Sequence, residues 1–415
     1  MNSKIVRPAN ILFCEGNTDG TIGGSFYSLL YLVSGLNRSR YRPIVVFHHD
    51  HALIPEFRKA NIPTFVIPKP MPFMLKAPEG FFLKTIFPFL HFVHFVQNGV
   101  NFFKLFLKTS VQYARFMKKH DIDLLHLNNS IVHNHDWMMG AALAGVKAVT
   151  RERGINKHYS KMSRFFAKRL KAIICISHAV RDNLIASGVN FGNLVTIYNG
   201  IDPRMVSIDK NKEQVRLAHG IQEDQIVIGV IGNIKAWKGQ ETIIRALPKI
   251  ISRFPKVVCL LVGDTAKRDQ LYKDRLDKLI GDLQIKGQVI FTGYRPNVAN
   301  YLNLAQVVVH TSVEPEPFGR VLIEAMSLRK PLIATAFGAV PEIIEQGITG
   351  WTTPPGNVEV LADTVLGVLG DPSMAFQVGA AGYQRLLENF LISFNVEKTM
   401  SLYDSLLDAC CFFLL

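Results

Sequence analysis

Short apolar runs alternate with helix-length segments along the whole 415-residue chain. Apolar runs of four to eight residues separated by helices are typical of parallel sheets built from β-α-β units. The first half has candidate strands at 10–14, 43–48, 64–67, 123–127, 147–150, 172–177 and 194–198. The second half has them at 226–231, 257–262, 288–292, 307–311 and 331–335. Since domains usually hold ~100 to 200 residues, we expect an α/β protein with two doubly wound domains.

The join between the domains is predicted near residues 199–203, where the turn residues Asn-Gly-Ile-Asp-Pro follow a strand. The charge balance changes at the same point. Residues 1–200 hold 25 basic and 10 acidic residues, and residues 201–415 hold 22 and 23. We therefore predict domains at 1–200 and 201–392, with a C-terminal helix in 393–415 that packs back on the first domain.

Composition excludes several classes of protein. With 48% hydrophobic and 19% charged residues, the chain is neither disordered nor too polar for packed cores. Its five cysteines are too few for a disulfide framework, and no CxxC pair predicts a zinc site. The N-terminus MNSKIVRPAN lacks the apolar core of a secretory signal. We expect a reduced, cytoplasmic location.

One segment, about 80–120, departs from the alternation. No acidic residue lies between Glu79 and Asp121, and the stretch is rich in Phe with Lys and Arg towards its ends. The polar residues inside its uncharged core argue against a spanning helix. An interfacial helix pair fits the composition, with Phe in lipid and the cations at anionic headgroups. A pair of ordinary helices that cover the first sheet is the alternative. No nucleic-acid-binding motif accompanies the positive charge, so we predict no nucleic acid partner.

The most specific motif is EPFGRVLIE, residues 316–324, directly after the strand at 307–311. Pro317 suits the first position of a helix, which would place Glu316 at the helix mouth and Glu324 on the helix. Eight residues of helical rise separate the two carboxylates by ~12 Å. That spacing is too long for an acid and base acting on one bond, but it fits the two ends of a nucleotide sugar. Exposed helix glutamates are the alternative.

A glycine turn follows the first strand of the second domain. GNIKAWKG begins at Gly232 and places Lys238 just before a helix. Amides at a helix N-terminus and a lysine charge favour a diphosphate. Gly263 and the Gly293-Tyr294-Arg295 loop also follow strands, where doubly wound sheets bind ligands. Ordinary turns and a solvated lysine are the alternatives.

These motifs resemble the retaining glycosyltransferases of family four, group 1, which have the GT-B fold. The same resemblance is found in the segments PLIATAFGAVPEII, GITGWTTPPGN, CISHAVRDNLIASGV and VTIYNGID. The resemblance covers nearly the whole chain and is stronger after residue 170. It extends to the glycine loop Gly23-Gly24 after the first strand, a candidate acceptor or phosphate loop.

The resemblance implies two Rossmann-like domains facing a cleft and a hexosyltransferase that needs no metal or cofactor. The co-substrate would be a nucleotide diphosphate sugar. Lys238 would bind the donor phosphates, Glu316 the transferred sugar and Glu324 the ribose. Amides around Phe318 and Gly319 would bind sugar and phosphate. The further donor-site candidates are Gly232, Asn233, Lys235, Gly263, Tyr294, Arg295 and Arg320.

The chain departs from the family pattern at two places. Asn233 stands where many members have Arg, so Lys235 or Arg320 is the candidate for the second phosphate cation. Many members have a histidine after the fifth strand of the first domain, where this chain reads Thr-Arg-Glu-Arg-Gly at 150–154. We therefore assign no residue of this chain to the role of that histidine. A DxD pattern, Asp121 to Asp123, is given little weight as a metal site because Asp123 begins a strand.

The sequence thus predicts a GT-B glycosyltransferase, peripheral at the inner face of the cell membrane, which extends a lipid-linked or cell-surface polysaccharide precursor. A nucleotide-sugar epimerase with the same fold is one alternative. A non-catalytic, membrane-associated partner of another glycosyltransferase is the second.

Overall fold

The computed structural model describes residues 7–17, 23–71, 96–97 and 99–408. Its contacts divide the chain into two compact units. The first contains the described residues of Met1–Ile176, Arg181–Ile197 and Val396–Leu415, and the second contains Ser177–Val180 and Tyr198–Asn395. Each unit contains one parallel sheet.

The sheet of the first unit has seven strands: β1 Ala9–Glu15, β2 Tyr41–Phe47, β3 Thr64–Val66, β4 Leu124–Leu127, β5 Lys147–Glu152, β6 Ala172–Cys175 and β7 Leu194–Thr196. Their order is β3-β2-β1-β4-β5-β6-β7, and every neighbouring pair is parallel. The order reverses between β1 and β4. Ligands bind at the carboxyl ends of strands at such a switch point.

The sheet of the second unit has six strands: β8 Ile226–Ile231, β9 Val257–Val262, β10 Val289–Gly293, β11 Val307–His310, β12 Leu332–Thr335 and β13 Trp351–Thr353. Their order is β10-β9-β8-β11-β12-β13, again with parallel pairing. The switch point lies between β8 and β11. Helices therefore cover both faces, and the strands are buried apolar runs.

The α-helices of the described residues are Gly24–Gly35, Ile54–Lys59, Lys108–Lys119, His135–Ala144, Lys161–Ala167, His178–Ala186, Lys212–His219, Gln240–Arg253, Gln270–Asp282, Ala299–Leu304, Arg320–Ser327, Val340–Ile343, Val358–Gly370, Pro372–Asn389 and Ile392–Asp408. In the second unit, Ile243, Leu247 and Ile250 on one helix face pack with Leu361 and Val365 over the sheet. Their spacing of three and four residues gives one apolar face.

The C-terminal helix contributes buried side chains to the first unit. Tyr403 is fully buried and hydrogen bonds His126 Nδ1 of β4. Thr399 accepts a hydrogen bond of 3.0 Å from Arg151 of β5. Gly35 permits the close approach of Val396, whose side chain would lie 2.8 Å from a Cβ at that position. The first unit is therefore completed by residues from the far end of the chain.

The fold prediction is confirmed. All twelve predicted strands are present, with ends within two residues of those predicted. The short edge strand β13 was not predicted, because its three residues are one tryptophan and two threonines and do not form an apolar run. The three described cysteines, Cys14, Cys175 and Cys259, are free and buried.

Residues 80–95 and 98 of the Phe-rich segment lie outside the described residues, so the predicted helix pair is described only in its second part. That part is a π-helical turn, Phe102–Leu107, which continues directly into the helix Lys108–Lys119. Within the described residues, no helix has the length and apolar character needed to span a membrane.

Candidate active site

Three glycines bring the loops after β8, β9 and β10 into contact. The amide of Gly232 donates to Val262 O at 2.8 Å, and that of Gly263 donates to Gly293 O at 3.1 Å. A Cβ at Gly263 would lie 2.2 Å from Gly232 O, so only glycine fits there. The loops predicted to form the donor site therefore lie together at one edge of the sheet.

Lys238 is positioned by a second close contact, between the loops after β8 and β11. It ends the 3₁₀ turn Ala236–Lys238, and Gly239 follows with φ 65° as the N-cap of the helix Gln240–Arg253. A Cβ at Gly239 would lie 2.1 Å from Thr311 O. Thr311 Oγ1 also donates to Lys238 O at 2.9 Å. The end of β11 thus fixes the backbone that bears the lysine.

One carboxylate oxygen of Glu316 receives three hydrogen bonds. Its Oε2 lies 2.6 Å from Lys238 Nζ, 2.9 Å from His310 Nε2 and 3.0 Å from Ser312 Oγ. The side chains of Lys238 and Glu316 are only 19% and 8% exposed, so this ion pair is largely shielded from water. Such a charge-assisted cluster holds its carboxylate in one place.

The pKa of Glu316 is held well below its ordinary value. Burial by itself would raise this pKa, but the charge of Lys238 and the hydrogen bond from His310 outweigh it. Glu316 is therefore an ionised acceptor at neutral pH. It can accept a hydroxyl hydrogen bond or stabilise positive charge, and it is unsuited to donating a proton.

The predicted start of the following helix is wrong. The helix begins at Arg320, with Gly319 as its N-cap at φ 81°, so Pro317 is not its first residue. Glu316 instead forms an isolated parallel bridge with Gly338, and its carbonyl accepts from Ala339 N at 2.8 Å. The left-handed conformation of Gly319 is the physical reason, because a helix cannot pass through it. The helical rise therefore does not measure the separation of Glu316 and Glu324.

Glu324 does lie on this helix, and it is paired. Its Oε1 accepts from Arg320 Nη2 at 2.9 Å and from Arg320 Nε at 3.2 Å. The side chains are 17% and 18% exposed. Arg320 is thus paired with a carboxylate one helical turn away.

The other predicted donor residues lie around this edge. The side chain of Phe318 is buried between Tyr198 and Phe390, which leaves only its backbone for ligand contact. The side chain of Asn233 is exposed and Lys235 is half-buried. Tyr294 and Arg295 follow β10, the outermost strand on that side, and Arg295 lies 5.9 Å from the Tyr301 ring centroid.

Gly23 and Gly24 belong to the first unit. Both are exposed, and Gly23 is the extended N-cap of the helix Gly24–Gly35. The next residue, Ser25, accepts through its carbonyl from Asn128 Nδ2 at 3.3 Å. Asn128 also donates to Glu15, and Arg153 donates to Asn128 O at 2.7 Å. The glycine loop therefore adjoins a polar cluster at the carboxyl ends of β1, β4 and β5.

Glu152 occupies the segment where the family resemblance would place a histidine. It is fully buried, accepts from Ile131 N at 3.0 Å and accepts from Asn156 Nδ2 at 3.1 Å. Burial raises the pKa of Glu152 to about 7 despite these hydrogen bonds. This carboxyl group titrates near neutral pH.

Neither His310 nor Ser312 was predicted as a site residue. A polar His-Thr-Ser sequence directly after the apolar run Val-Val-Val was the available signal, since ligands bind at the carboxyl ends of strands. The DxD pattern has a structural role: Asp123 forms an ion pair of 2.9 Å with Arg7. Across the described ranges, no three His, Cys, Asp or Glu side chains are grouped as a metal site.

Two family models match the chain side by side. The model "Glycosyltransferase Family 4" matches residues 22–204, and "Glycosyl transferases group 1" matches residues 211–385. Together they cover most of both units.

Named relatives agree with this match. The chain is 26% identical to N-acetyl-alpha-D-glucosaminyl L-malate synthase of Bacillus anthracis over 79% of this chain and 86% of the relative. It is 26% identical to the capsular polysaccharide biosynthesis glycosyltransferase CapM of Staphylococcus aureus over 57% of this chain and 62% of the relative.

Solved structures share the fold. Anabaena HepE in complex with UDP and glucose has a TM-score of 0.76 at 24% identity, covering 96% of this chain and 100% of that protein. Sucrose-phosphate synthase of Thermosynechococcus elongatus has a TM-score of 0.72 at 18% identity, covering 97% and 100%. With its two Rossmann-like domains, the chain is a GT-B glycosyltransferase and belongs to the group 1 glycosyltransferases of family 4.

Proposed function

We propose that this glycosyltransferase moves a hexose from a nucleotide diphosphate sugar to a lipid-linked or cell-surface polysaccharide precursor. In this proposal it acts with retention of configuration and without a metal ion. The observation that carries the proposal is the shielded pair of Lys238 and Glu316, 2.6 Å apart at the carboxyl ends of β8 and β11.

Lys238 is the proposed phosphate ligand. The leaving nucleoside diphosphate gains negative charge as the sugar bond breaks, and a fixed cation stabilises that charge. The ammonium group has three N–H donors, so it can keep Glu316 while it binds a phosphate oxygen. The helix Gln240–Arg253 begins directly after Gly239, so its positive N-terminus lies next to Lys238 in the chain. Lysine thus supplies the charge that a metal ion supplies in metal-dependent transferases.

The two glutamates have separate proposed roles. Glu316 is ionised and held by three donors, which suits it to accept hydrogen bonds from sugar hydroxyls. Glu324 lies on the helix after Gly319 and is proposed to bind the ribose hydroxyls, using the carboxylate that Arg320 now holds. A crystal structure of Anabaena HepE contains UDP-glucose, and this supports a sugar nucleotide as the donor.

Acceptors differ among the relatives. The S. aureus relative is named for capsular polysaccharide biosynthesis, and a Schizosaccharomyces pombe relative is named as a phosphatidylinositol N-acetylglucosaminyltransferase subunit. The B. anthracis relative is named for L-malate. We favour a lipid-linked or polysaccharide acceptor because the first unit has a surface suited to a membrane.

This surface, the basic aromatic surface, comprises exposed side chains of the helical segment 102–119 and of the segment 161–169. Its apolar members are Phe102, Phe103, Met162 and Phe165, which are 45%, 66%, 38% and 47% exposed. Its cations are Lys104, Lys108, Arg115, Lys118, Lys119, Lys161, Lys168 and Arg169, all exposed. Phe106 and Phe166 join the two segments, with ring centroids 6.3 Å apart.

Apolar side chains beside cations are the composition of an interfacial membrane-binding surface. We therefore propose a peripheral location at the anionic inner face of the cell membrane. Phe166 and Leu170, in the same segment as Met162 and Phe165, are buried in the unit and do not belong to this surface.

A donor screen tests the proposed function. The purified chain is incubated with a panel of UDP-, GDP- and ADP-sugars and membrane extract, and nucleotide release is measured with and without EDTA. We expect release with one donor, dependent on extract and unaffected by EDTA. NMR of the product then shows whether the anomeric configuration is retained.

The same screen separates the two alternatives. An epimerase would convert the sugar nucleotide without an acceptor, and a non-catalytic partner would release no nucleotide with any donor. Either result would contradict the proposed function.

A further inference from the structure

We propose that His310 is a positioning residue for transfer: its Nε2–H fixes the ionised Glu316 carboxylate while Lys238 engages the donor phosphates. This inference rests on the proposed function of Lys238 and Glu316 and adds a residue that neither the motifs nor the relatives' names assign.

The proton of His310 is assigned from its hydrogen bonds. Nε2 lies 2.9 Å from Glu316 Oε2 and 3.1 Å from Ser312 Oγ. Nδ1 is buried and has no partner among the described residues. An ionised carboxylate needs a donor, so Nε2 carries a proton. The imidazole is therefore oriented to donate to Glu316.

His310 and Ser312 hold the carboxylate from a rigid element. His310 is the last residue of β11, a strand buried in the middle of the sheet, and its side chain is 3% exposed. Ser312 follows two residues later and contacts both His310 Nε2 and Glu316 Oε2. Lys238 instead lies in a 3₁₀ turn and is 19% exposed. The contacts from His310 and Ser312 are thus more deeply buried than the contact from Lys238.

The arrangement matters most when the donor binds. A phosphate oxygen then shares the Lys238 ammonium with Glu316, which leaves less of its charge to the carboxylate. The carboxylate therefore depends more on His310 and Ser312 for its position and for the compensation of its charge. Without them it could rotate away from the sugar or take up a proton, since loss of donors to the ionised form favours the neutral form.

Two amide variants of His310 differ only in reach, and they make a matched test. Gln carries its side-chain nitrogen at the same number of bonds from Cα as His Nε2, so His310→Gln can still donate to Glu316. Asn carries it one bond shorter, at the level of Nδ1, so His310→Asn cannot. His310→Leu removes all polar atoms from a buried strand position.

The experiment measures kcat with the sugar nucleotide that the wild type turns over, and it measures UDP affinity by calorimetry with thermal melts alongside. We expect His310→Gln to stay within about threefold of the wild type. We expect kcat to fall roughly ten- to hundredfold in His310→Asn and His310→Leu, the range for losing a hydrogen bond to a charged group. UDP affinity should be unchanged in all three.

Three results would overturn the inference. One is normal kcat in His310→Asn and His310→Leu, which would show that the imidazole donor is dispensable. A second is an equal loss in Gln and Asn variants with lowered melting temperatures, which would show a packing role. The third is a wild type without turnover of any donor, which would contradict the proposed function itself and be recognised before the variants are compared.

Discussion

Lys238 and Glu316 are 78 residues apart in sequence, yet Lys238 Nζ lies 2.6 Å from Glu316 Oε2. The phosphate ligand and the sugar ligand proposed for this enzyme are therefore one ion pair before the donor binds. Because the pair is shielded from water, loss of the Lys238 charge should affect both donor binding and the stability of the folded protein.

Lys238→Ala should lower both stability and turnover. It leaves Glu316 buried without its cation, a loss of roughly 3 kcal/mol or more. It also removes a charge that stabilises the leaving group, worth about a hundred- to thousandfold in kcat. The double variant Lys238→Ala/Glu316→Gln has no unpaired charge, so chemical denaturation should show stability recovered while turnover stays low. Recovery of both would mean that the lysine acts only on folding.

Substitution of Glu324 and substitution of Glu316 should have different effects on nucleotide affinity. Glu324→Gln should weaken binding of the free nucleoside diphosphate about tenfold, because a hydrogen bond to a charged group contributes ~1.5 kcal/mol or more. Glu316→Gln should lower kcat and leave this affinity unchanged, as expected for a group that acts on the sugar. Asp277→Asn serves as the control, because Asp277 also forms an ion pair with a residue one helical turn away, Lys273. Equal losses in both glutamate variants on calorimetry would contradict the division of roles.

Gly338 should be needed for the position of Glu316. Its φ is 68°, and a Cβ there would lie 2.3 Å from Glu316 O. Gly338→Ala must therefore displace the Glu316 backbone in addition to about 1–2 kcal/mol of left-handed strain. Gly356→Ala is a matched control with the same φ of 68° and no other atom within 4 Å of the added Cβ. We expect the strain to lower stability in both variants, the displaced backbone to lower it further in Gly338→Ala, and turnover to fall strongly only in Gly338→Ala. Equal turnover in the two variants would show that the bridge does not position Glu316.

The strands of this fold could be predicted because each is an apolar run long enough to be recognised, and only the three-residue β13 was missed. The start of the helix Arg320–Ser327 could not, because Pro317 is a good first residue and the sequence does not show that Gly319 adopts the left-handed conformation that precedes the helix. The ion pair of Arg320 and Glu324 was readable from their four-residue spacing. The role of His310 was not: the polar residues after the apolar run indicate a ligand-binding edge, but they do not distinguish a histidine that contacts Glu316 from a histidine buried in the core.

Glu152 should make stability depend on pH. Its pKa is raised to about 7 in the folded protein, from an ordinary value of 4.5. A carboxyl group with a raised pKa contributes its full stability below the unfolded value and loses it as pH rises through about 7. The wild type should therefore lose up to about 3 kcal/mol relative to Glu152→Gln between pH 4.5 and pH 8, at ~1.4 kcal/mol per pKa unit. Histidines titrate in both proteins and cancel in this difference. Urea unfolding of both proteins across this range measures the difference, and a constant value would contradict the assignment.

The basic aromatic surface should bind anionic vesicles through two additive contributions. Phe102 and Phe103, 45% and 66% exposed, supply apolar burial, and each nearby Lys or Arg adds ~1 kcal/mol on anionic lipid. We expect the wild type to float with anionic vesicles, to bind neutral ones less, and to be partly released at 1 M salt, where the Debye length is ~3 Å.

The variant Phe102→Ser/Phe103→Ser tests the aromatic contribution. Both rings are exposed, so the variant should keep its melting temperature within a few degrees while flotation falls. Phe376→Ser removes a ring that is 69% exposed in the second unit and should change neither. A double variant that unfolds would indicate that the two rings pack in the core, as in the alternative of ordinary helices. A wild type that ignores anionic vesicles would contradict the peripheral location, and the positive charge of the first unit would then serve an anionic soluble acceptor.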